Sequence, residues 1–261
     1  MRILRPIEWG FPFTLSRNTD IPTFHMRRFF EWKDRGFINA PHPQTGLPAK
    51  WSLAPKDVHS LVWWSKDYRP FLTHPRIGEI DSYRNYFCMT ITGDRIREPK
   101  VPNLSIQIEN FTQMVERYGA EKMQWRYSPV PLDTQKFREI AEHVHSLGVR
   151  ECYFSFLHTD DPRSKEQRRE ILRSLCLILA PLEMTLLGCW DDEAFQGVAP
   201  NFGAATCVDA YKIDQIYGID KLGIKHLKTP ECKCSMSVEV ATQTLLPCPH
   251  ACSYCYASEK V

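Results

Sequence analysis

Short apolar segments alternate with segments of helical periodicity along most of the chain, and this alternation is the strongest constraint on the fold. The apolar segments lie at 60–64, 86–92, 122–127, 151–157 and 184–189, and a further short strand is expected just before Ser16. Patterns with apolar residues three and four positions apart lie at 23–35, 106–118, 134–147 and 165–179. Strands that alternate with helices in this way form βα units and a parallel sheet.

Five or six such units predict an α/β fold that is a full or partial (β/α) barrel, similar to a TIM barrel. An open, doubly wound sheet is the alternative arrangement of the same units. Local signals support the helix at 134–147, because Asp133 precedes it as an N-cap and Gly148 follows it as a stop.

The length of 261 residues suits one domain, which we place at 1–261. From about residue 221 the composition changes to prolines, small polar residues and clustered cysteines. Residues 221–261 are therefore predicted to be a loop-rich segment that packs on the barrel and is organised by a bound metal or cluster. This segment has too few apolar residues to form a core of its own.

The charge balance argues against bulk nucleic-acid binding, since 33 Lys and Arg residues are matched by 31 Asp and Glu residues. No window approaches the roughly 20 apolar residues that span a bilayer, so a membrane partner is not expected. The first residues lack the pattern of a secretory signal. We therefore expect a cytoplasmic protein whose cysteines stay reduced.

The ten cysteines fall into two groups. Five stand mostly among apolar neighbours and are predicted to be buried thiols that act as small hydrophobic side chains. These five are Cys88, Cys152, Cys176, Cys189 and Cys207. The other five are concentrated in the last 30 residues, and burial alone does not account for that concentration. The second group comprises Cys232, Cys234, Cys248, Cys252 and Cys255.

The sequence CPHACSYC at 248–255 gives Cys248, Cys252 and Cys255 the spacing C-x3-C-x2-C. Three thiolates this close can hold a [4Fe–4S] cluster and leave its fourth iron without a protein ligand. An open iron can bind S-adenosylmethionine, whose reductive cleavage yields a carbon radical. Tyr254, directly before the last cysteine, is then predicted to lie beside the adenine of that cofactor.

Cys232 and Cys234 leave a second interpretation open. One of them could complete a closed four-thiolate site for zinc or an electron-transfer cluster, in a binding protein without catalytic activity. The two could also ligate a second centre or remain plain thiols. Zinc sites usually combine two C-x2-C pairs, and here only Cys252 and Cys255 have that spacing. We expect His250 to be a solvent-facing or hydrogen-bonded loop residue rather than a ligand.

Polar residues follow the predicted strands, at the end of the sheet where (β/α) barrels place their chemistry. Arg17, Lys66 and Arg126 are candidates to bind a carboxylate or phosphate. Asp20 is a candidate to orient Arg17 or to hold a ribose hydroxyl. The ordinary alternatives are an ion pair between Arg17 and Asp20, a solvated Lys66, and an Arg126 that packs between its aromatic neighbours.

Other polar residues give weaker signals. Ser155, His158 and Asp160 end the fifth predicted strand. No Gly-rich phosphate loop, nucleophile elbow or H-E-x-x-H pair is present. Seven further histidines show no ligand spacing: His25, His42, His59, His74, His143, His145 and His226.

Four stretches in order along the chain resemble an uncharacterised, mostly bacterial family known as domain of unknown function 1848. They are LSRNTDIP at 15–22, LVWWSKD at 61–67, WRYSP at 125–129 and CPHACSYCYA at 248–257. The cysteine cluster of that family is similar to the cluster loop near the N-terminus of radical S-adenosylmethionine enzymes. The first and last strands of a barrel are neighbours, so a C-terminal loop can occupy the same place.

The resemblance implies a radical S-adenosylmethionine-like enzyme that holds a [4Fe–4S] cluster. Its substrate would be an unknown small molecule, modified nucleoside or peptide. Such an enzyme also needs a reductase or a flavodoxin-type electron donor as a partner.

Overall fold

The structure is a computed structural model that describes residues 2–128, 133–156, 162–188, 195, 197–219, 226–229, 232–242, 245–255 and 257. The sequence-based candidates His158, Asp160 and Cys189 lie outside these residues. In the described part of the chain, no helix is long and apolar enough to cross a membrane.

The strands are short, and most of them coincide with the predicted apolar segments. In chain order they are β1 (Ile3–Leu4), β2 (Phe13–Leu15), β3 (Phe37–Pro41), β4 (Pro48–Ser52), β5 (Leu61–Ser65), β6 (Asn85–Thr90), β7 (Met123–Tyr127), β8 (Glu151–Phe154), β9 (Thr185–Gly188), β10 (Phe202–Ala204) and β11 (Val238–Glu239). The helices are α1 (Ile21–Phe24), α2 (Met26–Arg35), α3 (Arg69–Leu72), α4 (Leu104–Tyr118), α5 (Thr134–Ser146), α6 (Lys165–Leu179) and α7 (Ala210–Tyr217).

Eight of the strands form one parallel sheet in the order β10-β9-β8-β7-β6-β5-β2-β11. Seven of them follow one another in chain order, as in a (β/α) barrel. The last strand, β11, returns to the first edge, where Val238 lies opposite Phe13 of β2. The fold is thus α/β with a full or partial (β/α) barrel, and no ladder joins β10 to β11 within the described residues.

The two faces of this sheet pack against different partners. In β5, Leu61 and Trp63 face an outer core that the side chains of α2, α4, α5 and α6 share. Val62 faces the opposite side, as the two-residue period of a strand requires. We call this opposite side the inner face. Its core contains Val62, Tyr86, Cys88, Tyr153, Ala205, Cys207, Val208, Ile213 and Cys234.

The predicted helices agree with the structure, with one difference. The helical pattern at 23–35 is divided at His25 into α1 and α2. Asp20 caps α1 by accepting from the backbone of Thr23, so the loop after β2 turns directly into a helix. Asp133 caps α5 as predicted.

Several elements lack a sequence signal strong enough to predict. β1, β3 and β4 form a separate three-stranded sheet, in which β3 and β4 are antiparallel. β10 and β11 have only three and two residues, so no period can be read from them. α7 follows β10 and packs Ile213 on the inner core rather than on the outer one.

Candidate functional site

The cysteine segment 248–255 lies at the carboxyl ends of the first strands of the sheet. His250 Nε2 is 2.8 Å from Asp20 Oδ2 in the loop after β2. His25, between α1 and α2, places its Nε2 2.8 Å from the carbonyl oxygen of Pro247. The backbone N–H of Ser253 donates to the carbonyl of Arg97, 3.0 Å away, in the loop after β6. The segment is therefore fixed to two separate βα loops.

Two groups of side chains hold the cysteine segment, and we call them anchors. Asp20 is the centre of the first anchor. Its buried carboxylate accepts from Thr23 N at 2.9 Å, Ser65 Oγ at 2.8 Å and Lys66 N at 2.9 Å, in addition to His250. Burial raises the pKa of Asp20, but the hydrogen bond and charge of His250 and the backbone donors outweigh it and keep the pKa below its usual value. The carboxylate thus joins β2, β5 and the cysteine segment.

Lys66, Glu98 and Tyr254 form the second anchor. Lys66 Nζ lies 2.6 Å from Glu98 Oε1 and 2.9 Å from Tyr254 Oη, and Tyr254 Oη also donates to Glu98. Burial lowers the pKa of Lys66, but Glu98 and Tyr254 outweigh it and raise the pKa overall. Lys66 is therefore a largely buried, paired cation, unlike the solvated side chain that was the ordinary alternative for this residue.

The three thiols of the segment are each partly buried. Burial raises the pKa of Cys248 to about 11. Burial also raises the pKa of Cys252, while the nearby Lys66 ammonium opposes this shift. Cys255 N donates to Cys252 O at 3.1 Å, which closes a turn between the last two cysteines. Among the described residues, no three cysteines have the spacing to hold a single metal ion.

Cys232 and Cys234 lie in a different environment from the segment. Cys234 is buried in the inner core, and a hydrogen bond with Cys207, together with burial, raises its pKa. Cys232 Sγ is 3.0 Å from Thr229 Oγ1. Cys207 in turn accepts from Arg126 Nη1 at 3.2 Å. The structure groups these thiols with Cys207 and groups the segment's thiols with Asp20 and Lys66.

Arg17 pairs with a residue that the sequence did not single out. Its Nε lies 3.2 Å from Glu239 Oε2 on β11, and Ser16 also donates to Glu239. Burial raises the pKa of Glu239, although Arg17 partly counteracts this. The cation thus links the first and last strands of the sheet.

Arg126 projects from β7 onto the inner face. Its guanidinium stacks 4.7 Å from the ring of Trp64, which lies two residues before Lys66 on the same face of β5. The side-chain nitrogens of Trp64 and Gln124 are buried donors without a hydrogen-bond partner among the described residues. This part of the inner face is therefore rich in hydrogen-bond donors.

Comparison with known proteins agrees with the resemblance seen in the motifs. The family model described as "Domain of unknown function (DUF1848)" matches residues 13–257. The chain belongs to this family. None of the curated proteins matches the sequence.

The solved structures that match part of this chain share little of its sequence. The HMG-CoA lyase from Brucella melitensis is 11% identical, with 58% of this chain and 57% of that chain covered and a TM-score of 0.39. The Bacillus subtilis HMG-CoA lyase is also 11% identical, with 67% of this chain and 66% of that chain covered and a TM-score of 0.39. The hydroxymethylglutaryl-CoA lyase from Pseudomonas aeruginosa is 11% identical, with 65% of this chain and 64% of that chain covered and a TM-score of 0.38. The chain thus spans less than two thirds of the length of each of these lyases.

Three residues that contact the candidate site residues were not predicted from the sequence. Glu98 lies in a loop without periodicity, Glu239 lies in a two-residue strand, and Cys207 resembles an ordinary buried thiol. Only the presence of acidic residues after β6 and within the tail could have pointed to the first two.

Proposed function

We propose that Cys248, Cys252 and Cys255 hold a [4Fe–4S] cluster and that the protein is a radical S-adenosylmethionine-like enzyme. The observation that carries this proposal is the anchoring of the cysteine segment at the carboxyl edge of a parallel sheet. Contacts from the loops after β2, β5 and β6 fix it there. This edge is where barrel enzymes place their active sites.

The donor set fits such a cluster. Iron–sulfur clusters take thiolate ligands, and three cysteines within eight residues supply them. The Lys66 ammonium lies near Cys252 and favours its thiolate, while metal binding itself drives deprotonation of the other thiols. When bound, the cluster would supply the electron that cleaves S-adenosylmethionine.

The chain's own residues would hold and orient this site. Asp20 fixes His250 between Cys248 and Cys252, so the middle of the cysteine segment keeps one position. Lys66 and Glu98 fix Tyr254 through its hydroxyl, which leaves the ring of Tyr254 as the surface for an adenine. Arg17, on the neighbouring loop, is a candidate to bind the cofactor's carboxylate.

The inner face is the proposed substrate side. Arg126 and the unpartnered donors of Trp64 and Gln124 suit a substrate that carries an acceptor-rich group such as a carboxylate or phosphate. A small molecule, a modified nucleoside or a peptide can carry such a group. A reductase or flavodoxin-type donor must supply the electron, and a reducing, cytoplasmic compartment suits the free thiols.

The contacts of Cys232 and Cys234 favour the open cluster over a closed four-thiolate site. Cys234 is engaged with Cys207 in the inner core, and Cys232 with Thr229. We therefore assign these two thiols to packing of the tail rather than to the cluster.

Anaerobic reconstitution of the full chain tests the proposal. We expect about four iron and four sulfide ions per chain, and a reduced-cluster resonance signal that changes when S-adenosylmethionine is added. Methionine and deoxyadenosine should then accumulate under reducing conditions. Cys252→Ser should lose the cluster, and the matched control Cys176→Ser, in the outer core, should keep it. Zinc without iron or sulfide, or a signal indifferent to the cofactor, would show that the proposal is wrong.

A further inference from the structure

A second cluster of potential metal ligands lies at the opposite end of the sheet from the cysteine segment. His59 precedes β5 by two residues, Asp214 belongs to α7, and His226 lies in the tail. The side chains of all three are completely or almost completely buried. Since Asp20 and Lys66 follow their strands while His59 precedes its own, the two clusters lie at different ends of the sheet.

The three side chains converge on one point. His59 Nε2 is 3.0 Å from Asp214 Oδ1, and His226 Nε2 is 2.6 Å from Asp214 Oδ2. One ligand atom from each residue lies within 4.8 Å of the other two. Among the residues that the structure describes, no other three His, Cys, Asp or Glu side chains lie this close together.

The hydrogen bonds on the far side of each ring hold the imidazoles in this orientation. His226 Nδ1 lies 3.0 Å from the carbonyl oxygen of Gly10, and His59 Nδ1 lies 2.9 Å from Ser60 Oγ. Histidines that ligate metals usually donate their other ring N–H to a carbonyl or a similar acceptor. The Gly10 carbonyl gives the His226 ring this outer support, and Ser60 Oγ is placed to give it to His59.

The contact with Gly10 also determines where the proton of His226 lies. A carbonyl oxygen only accepts, so Nδ1 of His226 carries a hydrogen. A neutral His226 then presents the lone pair of Nε2 to the Asp214 carboxylate. His226 Nε2 and Asp214 Oδ2 are then two acceptors 2.6 Å apart. Two acceptors this close need a metal ion or a second ring proton between them.

We propose that His59, Asp214 and His226 bind a zinc ion through three protein ligands. Two imidazoles and one carboxylate are a ligand set that zinc accepts, with bonds of about 2.0–2.2 Å. Ligand atoms around a tetrahedral ion stand about 3.3 Å apart, so the nitrogen–oxygen distances of 3.0 and 2.6 Å would open by about 0.3 and 0.7 Å. The ion would join α7, the tail and the start of β5. An extra proton on His226 is the competing occupant of the same space.

Zinc content of the full chain tests this site independently of the cysteines. We would use a variant in which Cys232, Cys234, Cys248, Cys252 and Cys255 are all replaced by Ser, grown with zinc. It should retain one zinc per chain. Adding Asp214→Asn or His226→Gln should lower its zinc affinity by about tenfold or more. The matched control His143→Gln, on α5, should keep the zinc.

Two further measurements keep the proposal falsifiable if the cysteine-free chain does not fold. X-ray absorption at the zinc edge of the wild-type chain should show a site with nitrogen and oxygen neighbours only. After chelation, added zinc but not magnesium should raise the thermal unfolding midpoint. Zinc bound through sulfur alone, or zinc uptake that Asp214→Asn leaves unchanged, would overturn the proposal. Nitrogen resonances that show both ring nitrogens of His226 protonated would also overturn it. The zinc content of the variant without these five cysteines does not depend on whether the iron–sulfur cluster forms.

Discussion

The imidazole of His250 lies 2.8 Å from the carboxylate of Asp20, a residue 230 positions earlier in the chain. This contact joins the cysteine segment to the loop that follows the first strand of the sheet. Both side chains are buried, so the interaction is protected from solvent. The geometry of the candidate cluster site therefore depends on a residue far from the cysteines in sequence.

Asp20→Asn should weaken both the fold and the cluster site. The amide would place a donor where the carboxylate now accepts from Thr23, Ser65, Lys66 and His250. We expect a loss of about 3 kcal/mol in the free energy of unfolding, as for a broken buried pair. Urea unfolding measures this loss, and the iron content after reconstitution should fall with it.

Asp34→Asn is the matched control for Asp20→Asn. Asp34 also pairs with a cation, Arg76, but its side chain is 58% exposed. Its replacement should cost much less stability than Asp20→Asn, because a solvent-exposed ion pair contributes little. Equal losses for the two variants would show that the buried carboxylate has no special role.

Burial, rather than distance, should decide the strength of two ion pairs. The Lys66–Glu98 and Lys33–Glu79 pairs have the same nitrogen–oxygen distance of 2.6 Å. Glu98 is only 2% exposed, whereas Glu79 is 38% exposed. Lys66→Met should therefore cost about 3 kcal/mol, and Lys33→Met less than about 1 kcal/mol.

Chemical unfolding of the two variants measures this difference. Lys33→Met also leaves Glu79 with its partner Arg76, so no charge is stranded there. If Lys33→Met proved as destabilising as Lys66→Met, the second anchor would not be a buried ion pair in solution.

Glu239→Gln should change how stability depends on pH. Burial raises the pKa of Glu239 above its ordinary value of 4.5. A carboxyl with a raised pKa favours folding where it is protonated, below the ordinary value, and this contribution is lost as pH rises through the folded value. The glutamine does not titrate, so the wild type should lose stability relative to the variant as pH rises above 4.5.

Glu79→Gln should change the pH dependence of stability in the opposite direction. The hydrogen bonds of Arg76 and Lys33 lower the pKa of Glu79 to about 2. Its contribution to folding is present above its ordinary pKa of 4.5 and is lost as pH falls toward 2. Unfolding midpoints of the wild type, Glu239→Gln and Glu79→Gln, measured from acid to neutral pH, test both predictions. If the two variants differed from the wild type in the same direction as pH changes, the environments described for Glu239 and Glu79 would be wrong.

Replacing Cys232 and Cys234 together by Ser should leave the iron content of the reconstituted protein unchanged. These thiols pack in or beside the inner core, so the expected effect is a loss of about 1 kcal/mol in stability. Iron and sulfide counting on this double variant checks the assignment, with Cys248→Ser as the positive control. Loss of the cluster in the double variant would mean that one of the two is a ligand.

Local signals predicted much of the fold. The strand before Ser16 and the cap at Asp133 follow from the residues immediately around them. The cysteine spacing likewise indicated a candidate site without the structure. What the sequence did not predict are contacts between distant residues. His59 and Asp214 are 155 positions apart, and no linear pattern relates them.

The contact of Arg17 with Glu239 was not predicted from the sequence for a related reason. An arginine and an aspartate three residues apart suggested a local ion pair, but Arg17 pairs with a residue of β11. A strand of two residues has no period to detect, so its position beside β2 became evident only in three dimensions.

The position of β11 beside β2 affects the order in which the protein can mature. Seven strands of the sheet precede β11 in the chain and leave the ribosome before it does. The residues proposed to hold iron follow β11, so they emerge onto a scaffold whose receiving loops have already been translated. Cofactor loading would then be a late event in biogenesis, rather than one that nucleates folding.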